Sequence, residues 1–243
     1  MLPLFIRVVD LKKMIELSST KSINTIHYYN WGLLPYESAD RIQQEAWKWV
    51  QAEESIGIIL GGEITPVITQ GIRAQDQDIL SADGFDLYHI KRGGETTLHS
   101  PGQLVIYPVL NLKKMNIGVR SFVQMLLRIS QKTFEHFDVS TQVSENPVGL
   151  FTSQGKIGFC GLQIKQSICQ HGLSLNIQNN LDYFQNIISC GIQRAAFDKL
   201  ENYNSNIQAS DFFKIWIEKA FLEDSLQKNQ SQEKDWRSRD VSS

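Results

Sequence analysis

The stretch GLFTSQGKIGFCGLQIKQSICQHGLSLNI, residues 149–177, contains three successive segments with the pattern of β-strands. Residues 149–153 and 156–164 are strand-like, and the Gln154-Gly155 dipeptide between them has the length of a hairpin turn. Residues 173–177 alternate apolar and polar side chains, which is typical of a half-buried strand. The middle of the chain is therefore predicted to form a sheet.

Further elements are predicted on both sides of this stretch. Three windows repeat apolar residues at helical spacing, namely 37–52, 121–137 and 211–223. Shorter apolar runs predict additional strands at 56–60, 67–69 and 104–110. Pro108 indicates that the last of these lies at a sheet edge or a strand end, because proline lacks the N–H group that a central strand uses. The helices are interspersed without regular β–α–β alternation, so the pattern favours an α+β fold over a parallel doubly wound sheet.

Length and composition limit the class of protein. The chain has 243 residues, of which 42% are hydrophobic and 21% charged, and these values fit a globular protein of one large or two small domains. Its formal net charge of -2 provides no global basic field to attract nucleic acid or an anionic membrane. We therefore expect neither nucleic acid nor membrane as a partner.

Targeting and redox features favour the cytoplasm. Residues 1–14, MLPLFIRVVDLKKM, lack the leading positive charge, long apolar core and small-residue cleavage site of a signal peptide. No apolar stretch reaches transmembrane length. The three cysteines are odd in number and have no zinc-ligand spacing, so free thiols in a reducing compartment are expected. A cytoplasmic protein without a metal site is predicted.

The segment RGGETTLHSPGQ, residues 92–103, can form a binding loop. Its paired glycines allow the backbone to approach a ligand closely, and Arg92 and His99 add a fork of donors and a neutral polar group. Such a loop can bind a carbonyl, a phosphate or a pantetheine arm. The alternative is an ordinary glycine turn between two strands.

The segment GKIGFCG, residues 155–161, contains a lysine at the start of an apolar strand. Lys156 is either a surface lysine at a strand end, the usual position of this residue type, or an amine partly removed from water. In the second case its ammonium group would lose a proton more easily.

The segment IISCGI, residues 187–192, contains a candidate nucleophile. Gly191 follows Cys190, and backbone N–H groups at a turn of this kind can stabilise an oxyanion. The alternative is a buried inert thiol, and that is also the interpretation of Cys160 and Cys169.

In this order and spacing, the motifs resemble those of the lipoyl(octanoyl) transferase family. That family carries RGG-x-x-TYHGPGQ, GKI-x-x-x-G, THG-L-x-L-N and PCGI. The corresponding segments here are RGGETTLHSPGQ (92–103), GKIGFCG (155–161), QHGLSLNI (170–177) and SCGI (189–192). The resemblance covers most of residues 25–195. It departs from the family pattern at Leu98, Ser100 and Ser189, where the family has tyrosine, glycine and proline.

The resemblance implies a fold and a set of site residues. The fold is that of lipoate and biotin protein ligases, a single α+β domain with a mixed sheet flanked by helices. Because the chain is polar and nearly free of apolar residues after about residue 226, the domain is predicted over 1–225 and a polar, flexible tail over 226–243. Cys190 is implied to be the acyl-carrying nucleophile and Lys156 its general acid and base. The implied substrate contacts are Arg92, Gly93, Gly94, Glu95, Thr96, Thr97, Leu98 and His99, then Phe159, Cys160 and Gly161, then Gly172, Leu173 and Ser174.

The resemblance also implies a reaction. An octanoyl group would pass from octanoyl-acyl carrier protein to Cys190, and then to a lysine of lipoyl domains in 2-oxoacid dehydrogenase complexes and the glycine cleavage H protein. This is the first step of lipoate biosynthesis, and it requires no ATP, metal or redox cofactor.

Two other functions remain open on the sequence. An ATP-dependent ligase of the lipoate or biotin type shares the glycine loop and the GKI segment, but it forms an acyl-adenylate and needs no thiol. A non-catalytic acyl-carrier-binding homologue would explain the departures at Leu98, Ser100 and Ser189.

Overall fold

The computed structural model describes residues 26–52, 56–188 and 196–222. It contains three α-helices, namely α1 (Tyr36–Ala52), α2 (Val119–His136) and α3 (Ala209–Leu222). The first six strands are β1 (Ile26–Leu34), β2 (Gly57–Ile64), β3 (Val67–Gln70), β4 (Asp86–His89), β5 (Thr96–His99) and β6 (Gln103–Leu110). The other four are β7 (Gln142–Glu145), β8 (Val148–Phe151), β9 (Lys156–Lys165) and β10 (Ile168–Asn176).

The strands form two sheets. The larger has seven strands in the order β1-β2-β6-β10-β9-β8-β7, and the smaller has three in the order β4-β3-β5. In the larger sheet β1 and β2 are parallel and the other neighbours are antiparallel, so the sheet is mixed. The predicted α+β fold with a mixed sheet flanked by helices is confirmed. The smaller sheet was not predicted, although its strands β3 and β5 lie in segments that the sequence analysis identified.

Helices cover both faces of the large sheet because adjacent strand residues point to opposite sides. Ile59 of β2 packs with α2 and α3 in one buried cluster, whereas its neighbours Ile58 and Leu60 pack with α1 in another. The indole N–H of Trp216 in α3 donates a hydrogen bond of 2.9 Å to the Ser130 hydroxyl of α2, which joins the two helices in the core. The apolar stripes read from the sequence thus face the sheet.

Two predictions about individual strands were wrong. Strand β6 lies in the centre of the sheet rather than at its edge, between β2 and β10. It tolerates Pro108 because the regular β6–β10 pairing ends at Ile106 opposite Leu173, so the missing N–H falls beyond the paired stretch. Strand β10 is buried along its whole length rather than half-buried, because it has sheet neighbours on both sides and covered faces above and below.

Two further expectations concern the C-terminal tail and membrane-spanning helices. The tail predicted over 226–243 lies outside the described residues. Within residues 26–52, 56–188 and 196–222, no helix is both long and apolar enough to cross a membrane.

Candidate active site

A cavity of about 570 Å³ opens where the small sheet meets the centre of the large one. Its wall combines the 92–99 segment with residues of β6, β9 and β10 and with the turn before β8. Of the residues predicted from the sequence, those in the wall are Arg92, Gly93, Gly94, Glu95, Thr96, Thr97, His99, Lys156, Phe159, Cys160, Gly161, Gly172, Leu173 and Ser174. Segments as far apart as residues 92 and 174 therefore meet in one space. Their roles as substrate contacts stay predictions.

The glycine loop lies directly against strand β9. The backbone N–H of Gly93 donates a hydrogen bond of 2.8 Å to the carbonyl oxygen of Leu162. A Cβ atom added at Gly161 would lie 2.8 Å from the carbonyl oxygen of Gly93, so a larger residue there would push the loop away from the strand. Glycine is required here by close backbone approach, which fixes the upper wall of the cavity.

Arg92 holds the loop to the small sheet from inside the protein. Its side chain is buried, and Nη2 donates to the carbonyl oxygen of Thr69 at 2.8 Å and to the Thr69 hydroxyl at 3.1 Å. Nη1 donates to the carbonyl oxygen of Gly93 at 3.1 Å. The guanidinium thus braces the paired glycines and places a positive charge beside the cavity.

Two histidines in the cavity wall are neutral at neutral pH. Burial lowers the pKa of His99 to about 4 and outweighs the hydrogen bond with Gln103, which raises the pKa; the charge of Arg92 adds a smaller lowering effect. Burial, Arg92 and His99 together lower the pKa of His171 to about 3. His99 Nδ1 lies 2.6 Å from Gln103 Oε1, so a neutral ring can donate to that oxygen. Both rings are therefore hydrogen-bonding groups rather than cations near pH 7.

Lys156 is the first residue of β9 and is only 4% exposed, which excludes the surface-lysine alternative. Its Nζ atom lies 4.8 Å from the centroid of the Phe159 ring and 5.6 Å from that of Phe151. The Gln154-Gly155 turn predicted before it is present, with the N–H of Thr152 donating to the carbonyl oxygen of Gly155 at 2.9 Å. The hairpin thus turns the chain so that the lysine enters the cavity wall.

The chain that follows the SCGI segment runs alongside Lys156. The N–H of Lys156 donates to the carbonyl oxygen of Ala196 at 2.9 Å, and the N–H of Asp198 donates to the carbonyl oxygen of Lys156 at 3.0 Å. On the preceding side, the N–H of Ile188 donates to the carbonyl oxygen of Asp78 at 2.7 Å. Cys190 itself, predicted to be the nucleophile, lies outside the described residues.

The other two cysteines have thiols that burial holds in the protonated form. Cys160 lies in the cavity wall, and burial raises its pKa to about 12 despite the opposing charge of Lys156. Cys169 is fully buried, and burial raises its pKa as well. Both fit the interpretation of inert thiols, since the thiolate is the reactive form.

Leu98 and Ser100 do not lie in the cavity wall. Leu98 is fully buried and packs behind it, in a cluster with Ile68 and Phe159. Ser100 is also fully buried, and the position of the turn with left-handed backbone is Gly102, with a φ of 87°. The loop therefore accommodates serine where the family has glycine, because the strained position lies two residues further on.

Asp198 was missed by sequence reasoning. Its carboxylate accepts hydrogen bonds from the Thr152 hydroxyl, from the Tyr203 hydroxyl at 2.6 Å, from the Asn202 amide at 2.7 Å and from the backbone N–H of Lys199 at 2.8 Å. Burial would raise the pKa of Asp198, but these hydrogen bonds outweigh it and the pKa lies below its ordinary value. The carboxylate joins the turn before Lys156 to the chain that follows the SCGI segment.

Asp198→Asn is expected to lower the free energy of unfolding by about 2 kcal/mol at pH 7, because an amide has one acceptor oxygen fewer and places a donor among donors. With a lowered folded-state pKa, the carboxylate stabilises the fold above the unfolded-state pKa and loses this effect as pH falls through the folded-state pKa. The difference in free energy of unfolding between wild type and variant should therefore become smaller below about pH 4. Urea unfolding at pH 7 and pH 3 measures this difference. An equal difference at both pH values would contradict a stabilising role of the Asp198 carboxylate.

The solved structures that resemble this chain define its class of fold. Lipoate-protein ligase A bound with ATP superposes with a TM-score of 0.66 at 11% identity, over 84% of this chain and 85% of that one. A putative lipoate protein ligase from T. acidophilum has a TM-score of 0.65 at 10% identity, over 84% of this chain and 91% of that one. The protein therefore has the lipoate protein ligase fold, as the motifs implied.

The sequence comparisons identify the family. Residues 35–221 match the family described as lipoyl protein ligase A/B catalytic domain, and the chain belongs to that family. An octanoyltransferase from Alkaliphilus metalliredigens is 32% identical over 184 residues, which are 72% of this chain and 84% of that protein. An octanoyltransferase from Clostridium kluyveri is 31% identical over 185 residues, 74% of this chain and 79% of that protein.

Proposed function

We propose that this protein transfers an octanoyl group from octanoyl-acyl carrier protein to a lysine amine of lipoyl domains, through a thioester on Cys190. The observation that carries the proposal is the buried amine of Lys156 in the wall of a cavity to which the motifs at 92–103, 155–161 and 170–177 all contribute. The identity of the acyl group is taken from the relatives named octanoyltransferase, which are more than 30% identical to this chain over most of their length. The acyl carrier protein as donor and the lipoyl domain as acceptor are what the resemblance of the motifs implies, and a cytoplasmic location is proposed with them.

The surroundings of Lys156 support a partner from the SCGI segment. The chain seven residues after Cys190 pairs with Lys156, and the chain two residues before it is bonded to Asp78. The Asp78 carboxylate in turn accepts from the hydroxyl of Thr96, which lies in the cavity wall. Both described ends of the segment are thus tied to residues of the site, and this favours a reaction between Cys190 and Lys156.

In the first half of the reaction, the amine of Lys156 accepts the proton of the Cys190 thiol, and the thiolate attacks the carbonyl carbon of the octanoyl thioester. The bond between that carbon and the carrier sulfur breaks, and the carrier thiolate takes the proton back from Lys156. In the second half, the lysine amine of the lipoyl domain attacks the Cys190 thioester. Lys156 accepts a proton from the attacking amine and returns it to the departing Cys190 sulfur, which restores the enzyme.

The apolar part of the cavity suits a medium-length acyl chain. Val105, Val123, Leu162 and Leu173 contribute aliphatic side chains to its wall. At about 0.8 kcal/mol per buried methylene, the six methylenes of an octanoyl chain contribute roughly 5 kcal/mol to binding. The cavity can therefore select chain length by the apolar surface that it buries. The two neutral histidines form a polar, uncharged part of the wall that can accommodate the carbonyl group and the incoming amine.

The test of this function is a transfer reaction without nucleotide. Purified protein mixed with octanoyl-acyl carrier protein in ATP-free buffer is expected to gain one octanoyl group, seen by intact mass and mapped to Cys190 by peptide analysis. The Cys160→Ala variant is the matched control, because it removes a thiol from the same cavity, and it should gain the same group. Addition of a lipoyl domain should then move the octanoyl group to the domain.

The two alternatives predict different outcomes of this experiment. An absolute requirement for ATP would show that the protein is a ligase that acts through an acyl-adenylate. Binding of the carrier protein with no adduct on the wild type would show a non-catalytic homologue. An adduct that maps to Cys160 would show that the nucleophile has been assigned to the wrong thiol.

A further inference from the structure

We propose that Phe159 is a positioning residue for Lys156, and that the stack of rings to which it belongs holds the lysine in register with the chain on both sides of Cys190. The inference rests on the proposed function, because it concerns the reaction of Lys156 with Cys190. The motifs place Phe159 among the substrate contacts. The contacts of its ring assign it a further task.

Two rings face the ammonium group of Lys156. The centroids of Phe159 and Phe151 lie 4.8 Å and 5.6 Å from Nζ, within the range of roughly 6 Å over which a cation is attracted to a ring face. The lysine is 4% exposed, so bulk water screens this attraction little. The two rings therefore attract the ammonium group and hold it in a defined position.

The ring of Phe159 is fixed by two other rings. It stacks on Phe184 with centroids 5.5 Å apart and an interplanar angle of 12°, and it contacts Phe197 at 6.0 Å. Phe184 and Phe197 stack on each other at 4.3 Å and 24°. Contacts of this kind prefer defined offsets and angles, so the three rings restrict one another's orientation.

The three rings connect elements that the reaction must bring together. Phe184 precedes Cys190 by six residues and Phe197 follows it by seven. Phe197 is also bridged to Lys156 through the backbone, in parallel orientation. The stack therefore supports the lysine and both sides of the segment that contains the cysteine, and loss of the Phe159 ring should disturb their relative position.

The test compares three variants in a Cys160→Ala background. Phe159→Leu keeps an apolar side chain but removes the ring face, whereas Phe159→Tyr keeps the face. Phe134→Leu is the matched control, because Phe134 is a buried ring that packs on Phe212 in the helical core and is no part of the cavity wall. The measurements are the rate at which iodoacetamide alkylates Cys190, the kcat and KM for octanoyl-acyl carrier protein, and the thermal unfolding midpoint.

Phe159→Leu is expected to lower both the alkylation rate and kcat about tenfold while KM changes less than about threefold, because a desolvated cation–ring contact is lost. Phe159→Tyr should recover both rates to within about threefold of wild type. Phe134→Leu should lower the unfolding midpoint but leave the alkylation rate unchanged. If Phe159 had only a structural role, Phe159→Leu would give the same result. Equal alkylation rates in Phe159→Leu and Phe134→Leu would overturn the inference.

Failure of this inference can be told apart from failure of the proposed function. If wild type gains an octanoyl group on Cys190 and Phe159→Leu reacts as fast, the ring has no positioning role and the function stands. If wild type gains no group on Cys190, the function itself fails. Should Phe159→Leu not fold, Phe151→Leu removes the more distant ring, and about a threefold fall in alkylation rate is expected there. An unchanged rate would count against the inference.

Discussion

Cys190→Ala is expected to reduce octanoyl transfer by at least about a thousandfold, to the background rate, and to remove the octanoyl adduct, because the covalent intermediate can no longer form. The Cys160 thiol in the cavity wall cannot replace it. With a pKa raised to about 12 by burial, its thiolate fraction at pH 7 is of the order of one in a hundred thousand. Transfer of a radiolabelled octanoyl group from octanoyl-acyl carrier protein to a lipoyl domain measures the loss.

The control for this prediction is Cys160→Ala, which should retain transfer to within about threefold, because its thiol is expected to pack rather than react. Persistent turnover by Cys190→Ala would show that the acyl group does not pass through this thiol. A loss of equal size in Cys160→Ala would show that the two thiols had been given the wrong roles.

Lys156→Ala is expected to lower kcat by about a hundredfold to ten-thousandfold, because it removes the group that accepts and returns the reacting protons. Lys156→Arg separates charge from proton transfer, since the guanidinium keeps a positive charge and does not release its proton. If proton transfer is the role, arginine should be nearly as inactive as alanine. Single-turnover kinetics with octanoyl-acyl carrier protein give the rate of each variant.

Near-normal turnover of Lys156→Ala would remove the lysine from the mechanism. Recovery of turnover by Lys156→Arg would reduce its role to a fixed positive charge. Circular dichroism and thermal unfolding serve as the control, because Lys156 is buried and its replacement leaves a space between Phe151 and Phe159. If Lys156→Ala unfolds at the assay temperature, Lys156→Met would be used in its place, because methionine better preserves the buried volume.

The periodic elements of the fold could be predicted because local patterning determines them. The apolar stripe over 121–137 predicted a helix that the structure shows as α2, and the predicted turn at Gln154-Gly155 joins β8 to β9. The position of a strand within a sheet could not be predicted in the same way. Pro108 indicated a sheet edge or a strand end, but the strand that pairs with β6 and places it in the centre of the sheet, β10, lies more than sixty residues further along the chain.

The site shows the same division. The four motifs identify the glycine loop and the buried lysine, because each needs a local residue pattern that the sequence displays. The side chains of His171 and Tyr107 also lie in the cavity wall, with ring centroids 5.8 Å apart. His171 belongs to the QHGLSLNI motif but was not among the predicted site residues, and Tyr107 lies in none of the motifs. Asp198 accepts hydrogen bonds from two segments that are far apart in sequence, namely Thr152 and residues 199–203. Such convergence is a property of the packed chain, and single-sequence patterns do not contain it.

The central claim is that the Cys190 thiol and the Lys156 amine exchange a proton. A crystal structure of the unmodified protein tests it most directly, through the distance between Sγ of Cys190 and Nζ of Lys156. We predict a separation of about 3–4 Å across the cavity, within reach of direct proton transfer. Sulfur and nitrogen on separate faces of the protein, in both the free and the octanoylated enzyme, would contradict the account.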